Sequence, residues 1–228
     1  ADGLTEDEAV AIALWNNAQF QADLTELGFA RADLIEAGLL RNPMLSLLFP
    51  VGPKQLEATL SLPIDLLWQR PKRVAAAKLD AERIAENLVQ HGLDLARDVM
   101  IAYGALALAN ERKSLAEENA RLQREIASIA AARLRAGDIS ELEESASCLE
   151  ALRAQEISLR RTQEADLAKA RFTTLLGFAA RDTTFTLASA PETELSSRKF
   201  AELMNAAFAS RPDLRAAELV IEAAGKRL

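Results

Sequence analysis

PKRVAAAKLDAERIAENLVQHGLDLARDVMIAYGALALANERKSLAEENARLQREIASIAAARLRA, residues 71–136, contains no proline after Pro71 and reads as one unbroken helix of about 66 residues. A proline is tolerated in the first turn of a helix, which places the start at Pro71. At 1.5 Å per residue the rod is roughly 99 Å long, against ~30 Å for a small domain. Apolar residues recur along it at sevenfold spacing: Leu88 and Leu95, then Leu108, Leu115, Leu122 and Ile129. Glu, Arg and Lys stand between them, the pattern of a coiled-coil seam. The rest of the chain is read as what packs against this rod.

Beyond the rod, Gly137 suits the left-handed position that stops a helix. Ser140-Glu141-Leu142-Glu143 is a capping box that opens another helix, carrying Leu142, Leu149, Leu152, Leu159 and Leu167 as far as about Leu176. A reversal this short makes the two helices an antiparallel hairpin with its tip at Gly137-Asp138-Ile139. The second helix is roughly 55 Å long, and a helix over 18–40 adds about 35 Å. Laid end to end, the two match the rod.

Upstream, Thr5-Glu6-Asp7-Glu8 is a capping box opening a short helix to about Asn16. Asn16-Asn17 breaks it, and Phe20, Leu24, Leu27, Leu34 and Ala37 keep helical register over 18–40. Arg41-Asn42-Pro43 ends that helix. The period then changes. Met44 to Phe49 is apolar, Pro50-Val51-Gly52-Pro53 is a turn, and Gln55 to Leu62 alternates. Leu56, Ala58, Leu60 and Leu62 face one way; Gln55, Glu57, Thr59 and Ser61 face the other. This is a β-hairpin over 44–62 with strands of about 8 residues, close to the ~9–11 of a tilted bilayer-crossing strand. Taken alone the motif favours a half-buried soluble hairpin over a membrane strand pair.

Composition narrows the function classes. Half of the 228 residues are hydrophobic, only 5% are aromatic and 27% are charged, which suits long, closely packed helices. The formal net charge of −7, with no basic patch interleaved with aromatics, argues against nucleic acid. Cys148 is the only cysteine, which excludes an intrachain disulfide and a cysteine zinc site. No run of 18 apolar residues and no secretory signal are present, and Ala1-Asp2-Gly3 is compatible with a processed or trimmed start. β-Barrel strands leave a much weaker trace than a spanning helix.

The last stretch repeats the first. At an offset of 194, Glu8-to-Leu34 aligns with Glu202-to-Leu228 without a gap, and the helix break at Asn17-Ala18 falls on Arg211-Pro212. Glu8/Glu202, Ala13/Ala207, Ala22/Ala216, Ala30/Ala224 and Leu34/Leu228 are identical. Residues 1–197 are therefore read as one repeat, with 177–197 a connector and a short strand at Thr184–Leu187. Residues 198–228 are read as the opening of a truncated second repeat. The expected fold is mainly α: a long coiled-coil hairpin, stacked shorter helices and one β-hairpin.

Together these residues resemble the TolC-like outer-membrane efflux protein family. The resemblance runs through Leu4-Thr5-Glu6-Asp7-Glu8-Ala9-Val10-Ala11-Ile12-Ala13-Leu14 with Asn16-Asn17, and Ala37-Gly38-Leu39-Leu40-Arg41-Asn42-Pro43. It continues in Leu60-Ser61-Leu62-Pro63-Ile64, Arg73-Val74-Ala75-Ala76-Ala77, Tyr103, Arg135-Ala136-Gly137-Asp138-Ile139-Ser140 and Leu175-Leu176-Gly177. The tip and the early Arg-Asn-Pro are most similar to the heavy-metal cation-efflux branch. The resemblance implies a homotrimer of two-repeat protomers, with strands in a shared outer-membrane β-barrel of a Gram-negative bacterium and helices forming a periplasmic tunnel. This chain would be half of such a protomer. The partners implied are a periplasmic adaptor and an inner-membrane pump, with outer-membrane lipid around the hairpin; no cofactor is implied. Metal cations or drugs would pass through unaltered.

Site expectations follow from that. The tip residues Arg135, Gly137, Asp138, Ile139 and Ser140 would meet the adaptor, while Leu56, Ala58, Leu60 and Leu62 would face lipid. His91, the only histidine, reads as a surface or packing residue and not a metal ligand, since a site needs several ligands. Cys148 reads as a small core-type residue and not a nucleophile. Glu141, Glu143 and Glu144 reflect the preference of helix N-termini for acids, with cation attraction at a tunnel mouth as the functional alternative. No phosphate loop, Ser/His/Asp set or isolated carboxylate pair supports an enzyme. The duct of a type I secretion system, or a soluble coiled-coil scaffold, would give a similar sequence.

Overall fold

The computed structural model describes residues 3–40, 42–48, 57–61, 65–178, 185–188 and 199–227. In order these form α1 (Glu6–Asn16), α2 (Ala18–Gly38), β1 (Met44–Leu48), β2 (Glu57–Ser61), α3 (Asp65–Ala136), α4 (Glu141–Leu175), α5 (Phe200–Ser210) and α6 (Pro212–Arg227). The chain divides into two compact units, residues 1–18 with 93–195 and residues 19–92 with 196–228.

The rod is one helix of 72 residues, and it begins earlier than the proline suggested. Pro71 lies inside α3, six residues past Asp65, so it is not in the first turn. It removes one hydrogen bond near the helix end, where tertiary packing downstream outweighs the loss.

In the first unit, α1, α4 and the 93–136 part of α3 close over a core of Ala9, Ala13, Val99, Tyr103, Leu106, Phe172 and Leu176. The Tyr103 and Phe172 rings meet edge-on at 6.0 Å, and Phe185 lies 5.6 Å beyond Phe172. α3 and α4 run antiparallel below this core, as expected, but the seam between them is not the leucine stripe. On α3 the inward residues are Val99, Tyr103, Leu106, Lys113, Ala116, Ala120, Gln123, Ala127, Ala130 and Leu134, at three- and four-residue steps below Leu106 apart from the exposed Asn110. On α4 Ser147, Ala151, Ala154, Ser158, Ala165 and Phe172 answer them. Small residues let the two backbones approach closely, so burial concentrates there. Leu108, Leu115, Leu122 and Ile129 are exposed, as are Leu142, Leu149, Leu152, Leu159 and Leu167; Leu115 and Leu142 reach 67% and 79%. Leu88 and Leu95 are half-buried.

The short strand expected at Thr184–Leu187 is, among the described residues, a single parallel bridge between Leu187 and Leu4. Leu4 N–H donates to the Thr186 carbonyl at 2.7 Å and Ala188 N–H donates back to Leu4 at 2.9 Å.

In the second unit α2 lies antiparallel to the upper part of α3. Asp23 meets His91 and Gly38 meets Arg70, and the face formed by Phe20, Asp23, Leu27, Ala30, Leu34 and Ala37 is covered. α6 also sits here, with Pro212, Ala216, Leu219 and Ala223 buried and Arg227 paired to Asp80 of α3. Between Arg73 and Leu88 almost every α3 residue is buried or half-buried, which is what helices on two sides produce.

The β-hairpin forms as read, with β1 and β2 antiparallel and Leu45 opposite Leu60, Leu47 opposite Ala58. Each described strand is five residues. The turn at 50–53 and the outer parts of both expected strands lie outside the described residues.

The breaks that end α1 and α5 have the same backbone conformation 194 residues apart. α1 and α5 both span 11 residues. The breaking residues are Asn17 at φ −65°, ψ 117° and Arg211 at φ −74°, ψ 115°. Their N–H groups donate to the carbonyls of Ala13 and Ala207 at 2.8 and 3.0 Å.

Candidate functional site

The tip joining α3 to α4 is built by backbone chemistry. α3 stops in a Schellman motif: Gly137 at φ 81° donates to the Leu134 carbonyl at 3.0 Å, and Asp138 donates to Arg133 at 2.9 Å. Ser140 then caps α4. Its hydroxyl accepts from Glu143 N–H at 3.3 Å, while the Glu143 carboxylate accepts from Ser140 N–H at 2.9 Å. These bonds, from the Ser140 backbone first and its hydroxyl second, hold the Glu143 carboxyl below the usual carboxylate range. The cap thus spends Ser140 and Glu143 on structure. Arg135, Gly137 and Asp138 are left exposed, Ile139 half-buried, and Arg135 Nε bonds back to the Ala131 carbonyl at 3.2 Å. Of the five expected tip residues, Arg135, Asp138 and Ile139 have side chains available to a partner.

Above the tip, the flanks of both helices carry the exposed leucines. They form an apolar stripe that the internal seam leaves uncovered. Sequence reasoning saw this stripe but assigned it to the α3–α4 contact.

In the second unit, Ala58 and Leu60 share one face of the hairpin with Leu45 and Leu47, and all four are exposed. Leu56 and Leu62 lie outside the described residues. No helix among the described residues is long and apolar enough to cross a membrane.

His91 is a surface residue, its Nδ1 3.0 Å from an Asp23 carboxylate oxygen across the α2–α3 contact. No group of three or more His, Cys, Asp or Glu residues converges as a metal site among the described residues. Cys148 is exposed, correcting the core assignment. The inward face of α4 runs through Ser147 and Ala151, one residue to its side.

Tyr103 was legible in the sequence only as part of a resemblance. It is buried, and its hydroxyl lies 2.9 Å from the Leu4 carbonyl and 3.0 Å from that of Ala188, donating to this pair. Burial first, then the nearby charge of Glu6, raises its pKa. A second joint forms where Asn17 Nδ2 donates to the Leu175 carbonyl at 3.1 Å. There Gly177 (φ 80°) passes so close that an added Cβ would lie 2.4 Å from the Asn16 carbonyl oxygen. The Asn16-Asn17, Tyr103 and Leu175-Leu176-Gly177 pieces thus form two joints beside one core, to which Tyr103 and Leu176 both belong.

Residues 51–178 match the outer membrane efflux protein family. Over 183 residues the chain is 27% identical to the cobalt-zinc-cadmium resistance protein CzcC of Cupriavidus metallidurans, covering 79% of this chain and 44% of that protein. A membrane protein of Pseudomonas aeruginosa superposes with a TM-score of 0.74 at 21% identity, over 97% of this chain and 56% of its own. CusC gives 0.76 at 17% identity, over 99% and 56%. The Campylobacter jejuni outer-membrane channel CmeC gives 0.75 at 14% identity, over 97% and 51%. The chain spans about half the length of the relatives it matches. With more than half of its residues inside the family match and the fold reproduced throughout, this chain belongs to the outer membrane efflux protein family.

Proposed function

We propose that the protein is the outer-membrane exit duct of a tripartite export system, passing divalent metal cations from a periplasmic pump assembly to the outside without chemical change. The observation that carries this reading is the arrangement of α3 and α4. Alanines close the seam inside the hairpin, and the leucines face outward on both helices, so each hairpin is made to stand beside others of its kind as a stave in a wall. A soluble two-helix scaffold would bury its largest apolar residues inside. The similarity to a cobalt-zinc-cadmium resistance protein supports metal cations as cargo.

In this reading residues 1–197 are one repeat and 198–228 begin a second, the full-length protein assembling as a homotrimer with its helices in the periplasm. Leu56, Ala58, Leu60 and Leu62 face outer-membrane lipid. Arg135, Asp138 and Ile139, set in place by the Gly137 stop and the Ser140 cap, meet a periplasmic adaptor that links the duct to an inner-membrane pump.

The test is expression of the full-length protein with its adaptor and pump in a metal-sensitive Gram-negative host lacking its own duct. Recovery in the outer-membrane fraction, with restored growth on cobalt, zinc or cadmium, is expected. A soluble periplasmic product would refute the duct. Charge reversal at the tip, Asp138→Arg, should abolish resistance while leaving the protein in the membrane. Unchanged resistance would remove the tip from the adaptor contact.

A further inference from the structure

We infer that the cavity between the end of α2 and the opening turns of α3 seats a phosphoethanolamine headgroup of the membrane around the hairpin. Its phosphate lies on Arg73 and its ammonium on Asp33 and Glu36. The inference rests on the outer-membrane reading above and adds to it a lipid class and a site. The cavity has a volume of about 520 Å³ and is lined by Asp33, Glu36, Leu39, Leu40, Asn42 and Arg73, all within the second unit. That is inside the ~300–1,000 Å³ range of small-ligand sites.

Arg73 is the residue that calls for a ligand. Its Nε and Nη2 are buried and have no hydrogen-bond partner among the described residues. A guanidinium stays charged, and burying its N–H groups without acceptors is costly. Arg70, three residues earlier, shows the satisfied alternative: its Nε donates to the Gly38 carbonyl at 2.8 Å. Asp33 and Glu36 are exposed and, among the described residues, form no ion pair.

The cavity therefore offers one unsatisfied cation and two free carboxylates a helical turn apart. Phosphoethanolamine carries the matching pair, phosphate oxygens for the guanidinium fork and a primary ammonium with three donors for the carboxylates. Phosphatidylglycerol would bring its phosphate without a cation for Asp33 and Glu36. The trimethylated ammonium of choline has no N–H to give them.

Depth agrees with this occupant. Asn42 lies two residues before β1, so the cavity sits where the chain passes from helix to hairpin. Arg73 is eight residues past Asp65, roughly 12 Å along α3. Side chains on a helix lean toward its N-terminus, which in α3 is the hairpin end. Leu39 and Leu40 are 60% and 51% exposed, apolar surface beside the charged groups for the acyl chains. Trp68, also exposed and nearer the hairpin on α3, is of the residue type that gathers at headgroup level.

The test is native mass spectrometry of the full-length protein, purified in detergent and mixed with equal amounts of dioleoyl phosphatidylethanolamine, phosphatidylglycerol and phosphatidylcholine. Phosphatidylethanolamine is expected to be retained in preference to the other two. Arg73→Gln is expected to weaken its binding about tenfold, the effect of losing a hydrogen bond to a charged group. Asp33→Asn with Glu36→Gln changes only exposed side chains, so folding is spared; it should keep phospholipid bound and erase the preference over phosphatidylglycerol. Free phosphoethanolamine, which lacks acyl chains, should bind more weakly than the lipid. Equal retention of the three lipids, unchanged binding in Arg73→Gln, or equal binding of free phosphoethanolamine would each overturn the inference. A protein that restores metal resistance yet retains no phosphatidylethanolamine overturns this inference and spares the duct. A soluble periplasmic product overturns the duct, and this inference with it.

Discussion

The Tyr103 hydroxyl on the long helix lies 2.9 Å from the carbonyl of Leu4, 99 residues earlier in the chain. The contact ties the segment before α1 to the middle of the rod. Leu4 keeps a second donor in Ala188 N–H, so among the described residues the Ala188 carbonyl is the group that loses its donor when the hydroxyl is removed. Tyr103→Phe should cost about 1–2 kcal/mol, read as a lowered denaturation midpoint. The pH arm gives a second signature. The tyrosine's folded pKa is raised above its ordinary value of 10.0, so its contribution is full below that value and is lost as pH rises through the folded pKa. Wild type should lose stability in alkali more steeply than the Phe variant; parallel curves would refute the assignment.

Two glycines stop helices in the left-handed region, and they should respond differently to alanine. At Gly137 nothing stands within 4 Å of an added Cβ, so Gly137→Ala carries only the backbone strain, about 1–2 kcal/mol. At Gly177 the same strain is joined by a clash with the Asn16 backbone. Gly177→Ala should therefore lower the melting temperature clearly more than Gly137→Ala. Equal effects would mean that the α1–α4 joint is looser than the distances indicate.

The cap at the tip should be acid-sensitive. Ser140→Ala is expected to cost about 1 kcal/mol by loss of the N-cap. The Glu143 carboxyl is depressed below 4.5, so its contribution is present above that pH and is lost as pH falls through the folded value. Glu143→Gln should flatten this acid-side fall, measured by helix melting between neutral and acid pH.

The two heptad stripes should separate cleanly under mutation. Ala154 is buried in the inner seam, and Ala154→Leu should destabilise the chain by about 1–3 kcal/mol through overpacking. Leu159 is 60% exposed, and Leu159→Ala should stay within about 0.5 kcal/mol in this chain. In the proposed homotrimer of the full-length protein the order should invert for oligomer stability, with Leu159→Ala lowering the temperature at which the oligomer dissociates on a gel.

Local signals along the chain fixed most of the elements. The capping boxes at Thr5 and Ser140, the Gly137 stop and the Asn17 break fall where their side chains or backbone make a specific short-range bond. The change from a period near 3.5 to a period of 2 marked the hairpin, because side-chain direction in a strand alternates whatever surrounds it. Pro71 misled, since a local rule about prolines cannot weigh the packing that carries a helix past one.

Only the tertiary structure decided which way the helices face. A heptad period announces a stripe, and α3 carries two: the large residues at Leu108, Leu115, Leu122 and Ile129, and the small ones at Ala116, Ala120, Ala127 and Ala130. Size alone favours the leucines as the seam. Burial is set by how near two backbones come, and alanine and serine on both helices allow the closer approach, so the leucines turn outward. The joint of Tyr103, Leu4 and Ala188, and that of Asn16 and Gly177, likewise depend on residues distant in the chain. The sequence by itself determined which segments are helix and which strand, and where α1 and α4 begin and α3 stops. The tertiary structure decided which faces they share, because contact is a property of pairs and not of a single segment.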